Sequence, residues 1–328
     1  MSFQQGSLDI ILEPGENTLE DINFTGGFPT SRDLAPSILF IVLYALTLPV
    51  LIWRIVSPQY RSLLLLRPAM FFTCRMTSLI IRAIMSKVSS YSLGLLVAEL
   101  VLISVGYLFL IEPVIIAWKR LISAQYHSSS SRHPPTWLNA VKNGLLVALI
   151  STIVIFVVSG IVSSQSPAHP NLLQVVRILR EISYILSLGI SSLLLVLVIV
   201  TGKVFKLPVI RTAFLVSLAA GMVTTGAYRV AQTYSVNPDS PARSLAAFWV
   251  LQISVEYVIY TLFLTISLPK WFPAGKEEVD TAGVCNNDLE IGLVNHRATV
   301  SQEVKLRKRP WYLKGPVTRF LVRDRYQD

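Results

Sequence analysis

The sequence predicts an all-α polytopic membrane protein, a seven-helix transmembrane bundle. Three observations carry that prediction. The 328-residue chain is 52% hydrophobic and only 15% charged, where a soluble domain carries about 25% charged residues. Its mean hydropathy is +0.57, and the apolar residues gather into seven runs of about 20 residues or more, enough to cross a bilayer core of roughly 30 Å. Between the runs lie segments rich in Pro and Ser that cannot continue a helix. A soluble single domain, a collagen-like chain and a wholly disordered chain are all excluded.

The spans are expected at 34–56, 63–85, 92–121, 138–162, 172–201, 208–234 and 245–268. Ser57-Pro58 ends the first, and SSSSRHPP at 128–135 follows the third. SSQSPAHP at 163–170 separates the fourth and fifth, and NPDSP at 237–241 the last two. The domain plan is therefore an acidic N-terminal segment over 1–33, the bundle over 34–268 and a basic tail over 269–328. No internal repeat of solenoid length occurs, and the acidic N-terminus is unlike a cleavable signal peptide.

Charge sets the expected orientation. Net charge is +10, from 29 Lys+Arg against 19 Asp+Glu. The excess sits in alternate loops: Arg54, Arg61 and Arg67; Lys119, Arg120, Arg132 and Lys142; Lys203, Lys206 and Arg211. The intervening loops hold only Lys87 and Arg243, and the N-terminal segment is acidic. Basic loops face the cytosol, so the N-terminus is expected outside and the C-terminus in the cytosol, in the plasma membrane or an endomembrane. The excess is thus accounted for without nucleic acid. Asn23-Phe24-Thr25 is a glycosylation sequon on the expected outer side. The tail carries eight Lys/Arg over 305–325 interleaved with Trp311, Tyr312 and Phe320, a mixture suited to the anionic inner leaflet or simply to solvent.

Ionisable residues inside spans cost at least ~2.5–3.5 kcal/mol each on insertion scales, which makes them site candidates. Span two carries Arg75 and Arg82 on one helical face, span three Glu99 and, near its inner end, Glu112. Span five has Arg177, Arg180 and Glu181, followed by Tyr184, Ser187 and Ser191 as a polar stripe. Span six has Thr225, Tyr228, Arg229 and Gln232, and span seven Gln252, Glu256 and Tyr260. A rise of 1.5 Å per residue places Arg75 and Glu256 both ~18 Å from one end of their spans, and Arg82 and Glu99 near one depth. The outer half then holds Arg75, Arg82, Arg177, Arg180 and Arg229 against Glu99, Glu181 and Glu256. If the surplus arginines converge, they would favour an anionic ligand such as a carboxylate, a phosphate or a lipid headgroup. The competing expectation is a structural ion-pair network, with Arg177 and Arg229 snorkelling to the interface.

Other chemistry is missing. His127, His133, His169 and His296 lack metal-ligand spacing, no phosphate-binding or dinucleotide loop occurs, and no cofactor is expected. No Asp lies inside a predicted span. Cys74 and Cys285 are not placed to bridge. Asp324-Arg325-Tyr326 matches a rhodopsin-like tripeptide only in the tail, whereas the cytosolic end of span three reads Trp118-Lys119-Arg120.

CRMTSLIIRAIMS at 74–86 and AELVLISVGYLFLIEPVIIAWKRL at 98–121 resemble an uncharacterised fungal seven-span family, sometimes labelled receptor-like. YRVAQTY at 228–234 and FWVLQISVEYVIYTLF at 248–263 add to the resemblance, which covers about a fifth of the chain. That family is expected to carry a neutral amide where this chain has Glu99. A more remote similarity is to fungal lipid-translocating exporters, also with an acidic residue in the last span. The resemblance implies a fungal membrane protein attached to a specialised-metabolite pathway. The sequence as a whole favours a non-enzymatic protein that binds a small amphipathic or anionic molecule for transport or sensing. The alternatives are a receptor resembling G-protein-coupled receptors and an integral-membrane cyclase or isomerase that uses Glu99 or Glu256 as an acid.

Overall fold

The computed structural model describes residues 11–12, 27, 29–57, 63–88, 91–129, 135–165, 172–235 and 240–272. Asn23 and the basic segment 305–325 lie outside the described residues. Seven helices are long and apolar enough to cross a membrane. We number them α1 (Leu34–Val56), α2 (Leu66–Met85), α3 (Leu93–Ser129), α4 (Thr136–Gln165), α5 (Leu172–Val204), α6 (Val209–Tyr234) and α7 (Leu245–Thr265). A four-residue helix, α8 (Leu268–Trp271), follows. The protein is a seven-helix membrane bundle, and the described non-helical pairing is a two-residue antiparallel contact, Ile11–Leu12 with Tyr91–Ser92.

The helices start and stop where local chemistry dictates. Ahead of α1, the Asp33 carboxylate reaches back to the Thr30 N–H at 2.9 Å, satisfying a donor that a helix start leaves orphaned. Lys206, with a left-handed φ of 48°, and then Pro208 separate α5 from α6. Ser244 caps α7 by accepting from the Ala247 N–H at 3.2 Å. Within α7, residues Phe248–Ser254 form a π-helical stretch, and the Ser254 hydroxyl donates to the Trp249 carbonyl five residues back at 2.8 Å. Such widened turns re-aim side chains and concentrate at functional sites. Pro49 and Pro113 lie inside α1 and α3, as spans tolerate when neighbouring helices pack around the break.

Helix α3 is central. In its most apolar window 72% of residues are buried, against 22% for α1, so α3 is wrapped by protein while α1 turns Leu39, Leu46 and Trp53 outward. It packs on α2, α4, α5, α6 and α7. Small residues let helices approach, the device membrane bundles use in place of a hydrophobic drive. At Gly226 of α6 an added Cβ would stand 3.3 Å from the Leu188 backbone of α5. Cross-helix hydrogen bonds pin the packing: the Trp118 indole donates to Thr201 at 3.0 Å, and the Tyr107 hydroxyl donates to the Met222 carbonyl at 2.7 Å beside Ser191 at 3.0 Å.

Several expected boundaries move. Helix α2 begins after a 3-10 turn at Leu63–Leu65, α3 continues through Ser129, and α4 and α5 each gain about a turn. Phe272, expected in the tail, is fully buried and sits with its ring 6.5 Å from that of Phe214, so the packed region runs past 268. Asp33, expected in the acidic N-terminal segment over 1–33, is also fully buried.

A buried charge core as the candidate functional site

Six buried charges form two three-residue clusters, one near the end of the bundle where α1 begins and one closer to its middle. In the first, Arg82 of α2 donates from Nε to Asp33 at 2.9 Å and from Nη1 to Glu99 of α3 at 2.8 Å. Its guanidinium lies 4.7 Å from the Phe248 ring centroid and 5.9 Å from that of Trp249. The π-helical stretch of α7 thus supplies an aromatic floor to this cation. One arginine serves two carboxylates, and the cluster is net negative.

The second cluster inverts that ratio. Glu256 of α7 pairs with both Arg75 of α2 and Arg229 of α6, the latter at 3.2 Å. Both arginines also donate to the Ile103 carbonyl of α3, at 3.1 and 3.0 Å. Arg75 lies 5.5 Å from the Phe71 ring centroid and Arg229 4.6 Å from that of Tyr107. All three charged side chains are fully buried. This cluster is net positive.

The contacts of the second cluster leave hydrogen-bonding capacity unused. Each guanidinium meets the carboxylate and the carbonyl through Nη2, while Nε and Nη1 of both Arg75 and Arg229 have no hydrogen-bond partner among the described residues. Thr225, one turn before Arg229, and Gln252, one turn before Glu256, carry buried polar atoms in the same condition, as does the Tyr44 hydroxyl beside Phe71. Buried polar atoms left unfilled cost ~1–3 kcal/mol each, more where charged. Four of these atoms belong to the two arginines of one net positive cluster, which makes it the candidate site.

The remaining candidates separate. Arg177 is exposed and Glu181 half-buried on α5, and neither joins a cluster. The inner-face stripe at i, i+4, i+7 and i+11, Arg180, Tyr184, Ser187 and Ser191, is buried. Arg180 lines a cleft between α3, α4 and α5. Arg229 does not snorkel: it is fully buried, because α6 turns it inward onto Glu256 and Ile103. Glu112 pairs at 2.9 Å with Arg67, a partly exposed pair toward the opposite end. Asp33 was hidden in the sequence by the acidic residues before it. Its one signal was the Thr30-x-x-Asp33 capping pattern ahead of an apolar run.

No family model, no curated protein and no solved structure matches the chain.

Proposed function

We propose that the bundle binds a small amphipathic or anionic molecule in its charge core, for transport across the membrane or for sensing. The observation that carries this reading is the Arg75–Glu256–Arg229 cluster, net positive, fully buried, with four guanidinium nitrogens that have no hydrogen-bond partner among the described residues. A carboxylate or phosphate entering beside Glu256 would meet donors held in place by Ile103, Phe71 and Tyr107. In a medium of low dielectric such charge-assisted bonds are strong. The resemblance to fungal seven-span and lipid-translocating proteins fits this reading, as does an outer N-terminus with a cytosolic basic tail. A membrane cyclase would need Glu99 or Glu256 to donate a proton. Both are engaged by guanidinium groups, which favours the binding role.

The test compares octanoate and octyl phosphate with octanol, added to the full chain in nanodiscs. The anionic compounds should raise the melting temperature and octanol should not. Arg229→Gln, which leaves Glu256 paired to Arg75, should remove the difference between them. Equal stabilisation by all three compounds would defeat the proposal.

A further inference from the structure

The Asp33–Arg82–Glu99 cluster carries one negative charge more than it balances, and one oxygen in it is bare. Asp33 and Glu99 both pair with Arg82, and with no other cation among the described residues. Asp33 is well supplied with donors. Its Oδ1 accepts from Arg82 Nε, and its Oδ2 accepts from the Thr30 N–H at 2.9 Å and the Thr30 hydroxyl at 3.1 Å. Glu99 accepts from Arg82 Nη1 through Oε1 alone. Its Oε2 is buried with no hydrogen-bond partner among the described residues. The Trp249 indole N–H is in the same condition, and its ring centroid lies 5.9 Å from the Arg82 guanidinium.

The groups around Glu99 narrow what the bare oxygen can take. Helix α2 brings Arg82 and, two turns deeper, Arg75, which is paired with Glu256 of α7. Helix α6 brings Tyr228 and Arg229, and Arg229 is paired with the same Glu256. Helix α7 adds the uncharged rings of Phe248 and Trp249 beside Arg82. On α5, Arg180 lies along Val97 and Val101, which at ~100° per residue is the flank of α3 turned away from Glu99. Tyr184 of α5 packs on Phe156 of α4, and α4 carries no titratable side chain over 143–165. A metal cation wants about six oxygens. Among the described residues no three or more acidic, His or Cys side chains are grouped to hold one, and both Asp33 oxygens already accept. A proton needs one lone pair and no space. Two buried carboxylates against one cation repel each other, and a proton on one removes both the repulsion and the unbalanced charge. Asp33 follows directly on the exposed Ser31 and Arg32, so the cluster lies close to the aqueous phase at this end.

We propose that the Asp33–Arg82–Glu99 cluster is a proton-binding site, with Glu99 Oε2 as the acceptor. A proton leaves a hydronium ion, releasing water, and forms an O–H bond on Oε2. Arg82 and Asp33 keep their charges, and the cluster passes from one net negative charge to none. Intramembrane carboxyl groups carry protons in pumps and transporters by the same reversible step. The site stands on its own contacts and does not rest on the anion reading of the second cluster.

The experiment is infrared difference spectroscopy of the full chain in nanodiscs, with no ligand added, between mildly alkaline and mildly acidic buffer. The native chain should gain the C=O band of a protonated carboxyl group that exchanges slowly with deuterium, and Glu99→Gln should lose that band. Carboxyl groups in water contribute alike to both spectra and cancel. Asp33→Asn leaves one arginine to one carboxylate, so the band should remain but need about tenfold more protons, ~1 pH unit. Glu112→Gln, at the partly exposed pair with Arg67, should leave the band unchanged, as should replacing sodium by choline in the buffer. Absence of the band in the native chain, its survival in folded Glu99→Gln, or an unshifted midpoint in folded Asp33→Asn would each overturn the proposal. So would its loss in Glu112→Gln, or a band that sodium suppresses, which would assign the cluster to a metal cation.

Discussion

Replacing Glu256 by Gln should be the most damaging single change in the charge core. The carboxylate holds two fully buried guanidinium groups, and Glu256→Gln leaves both without a counter-charge. Breaking a buried pair by removing one partner costs ~3–5 kcal/mol, a large part of a typical stability of ~5–15 kcal/mol. At ~2–4 °C per kcal/mol for a domain of this size, the melt should fall by roughly 10 °C. Arg75→Gln and Arg229→Gln should each cost less, about 1.5–3 kcal/mol, because Glu256 keeps its other arginine. Arg75→Gln combined with Glu256→Gln still strands Arg229 and should recover little. Only the triple change, with all three residues neutral, should recover most of the loss. Thermal melts in detergent decide it. Equal costs for the three single changes, adding up in the triple, would mean that Glu256 is not the shared partner, and the cluster would have to be redrawn.

Arg82→Gln leaves Asp33 and Glu99 buried without their cation and should cost ~3–5 kcal/mol. Asp33→Asn keeps the Arg82–Glu99 pair and should cost less than half of that by the same melts. Gly226→Val puts branched bulk where a Cβ already meets the Leu188 backbone at 3.3 Å. It should cost ~1–3 kcal/mol, while Gly144→Val, at a position with open space around it, should cost less. In sealed microsomes, protease should remove a C-terminal tag from the cytosolic side and leave an N-terminal tag protected. A protected C-terminal tag would reverse the orientation drawn from the basic loops.

The spans were legible because a bilayer demands long runs without charge, and such runs have no other common source. Helix α3 was legible as apolar all round but not as central, since burial by lipid and burial by protein select the same residues. Arg82 and Glu99, and Arg75 and Glu256, could be matched by depth alone, because a fixed rise per residue converts sequence position into height. Depth does not say which way a helix turns its side chains. Arg229 therefore looked free to reach the interface, whereas α6 aims it at Glu256, which turns a presumed pair into a triplet. Asp33 was obscured because a carboxylate next to an acidic segment looks solvated, and only its capping geometry marks the start of α1. The exposed Arg177 and the buried Arg180 differ by less than one turn in sequence, and the packing of α4 and α5 alone separates their fates. The π-helical stretch at Phe248–Ser254 has no sequence signature that distinguishes it from ordinary helix, yet it sets the rings of Phe248 and Trp249 beside Arg82.

The proposed role of the spare Arg75 and Arg229 donors is to receive an anion inside the bundle. Equilibrium binding of octyl phosphate to nanodisc-embedded protein tests it most directly, comparing the native chain with the triple change Arg75→Gln, Arg229→Gln, Glu256→Gln. The triple variant is expected to stay folded with no charge in that cluster, so it separates binding from stability. Saturable binding to the native chain, abolished in the folded triple variant, is the expected result. Undiminished binding to the neutral core would contradict it.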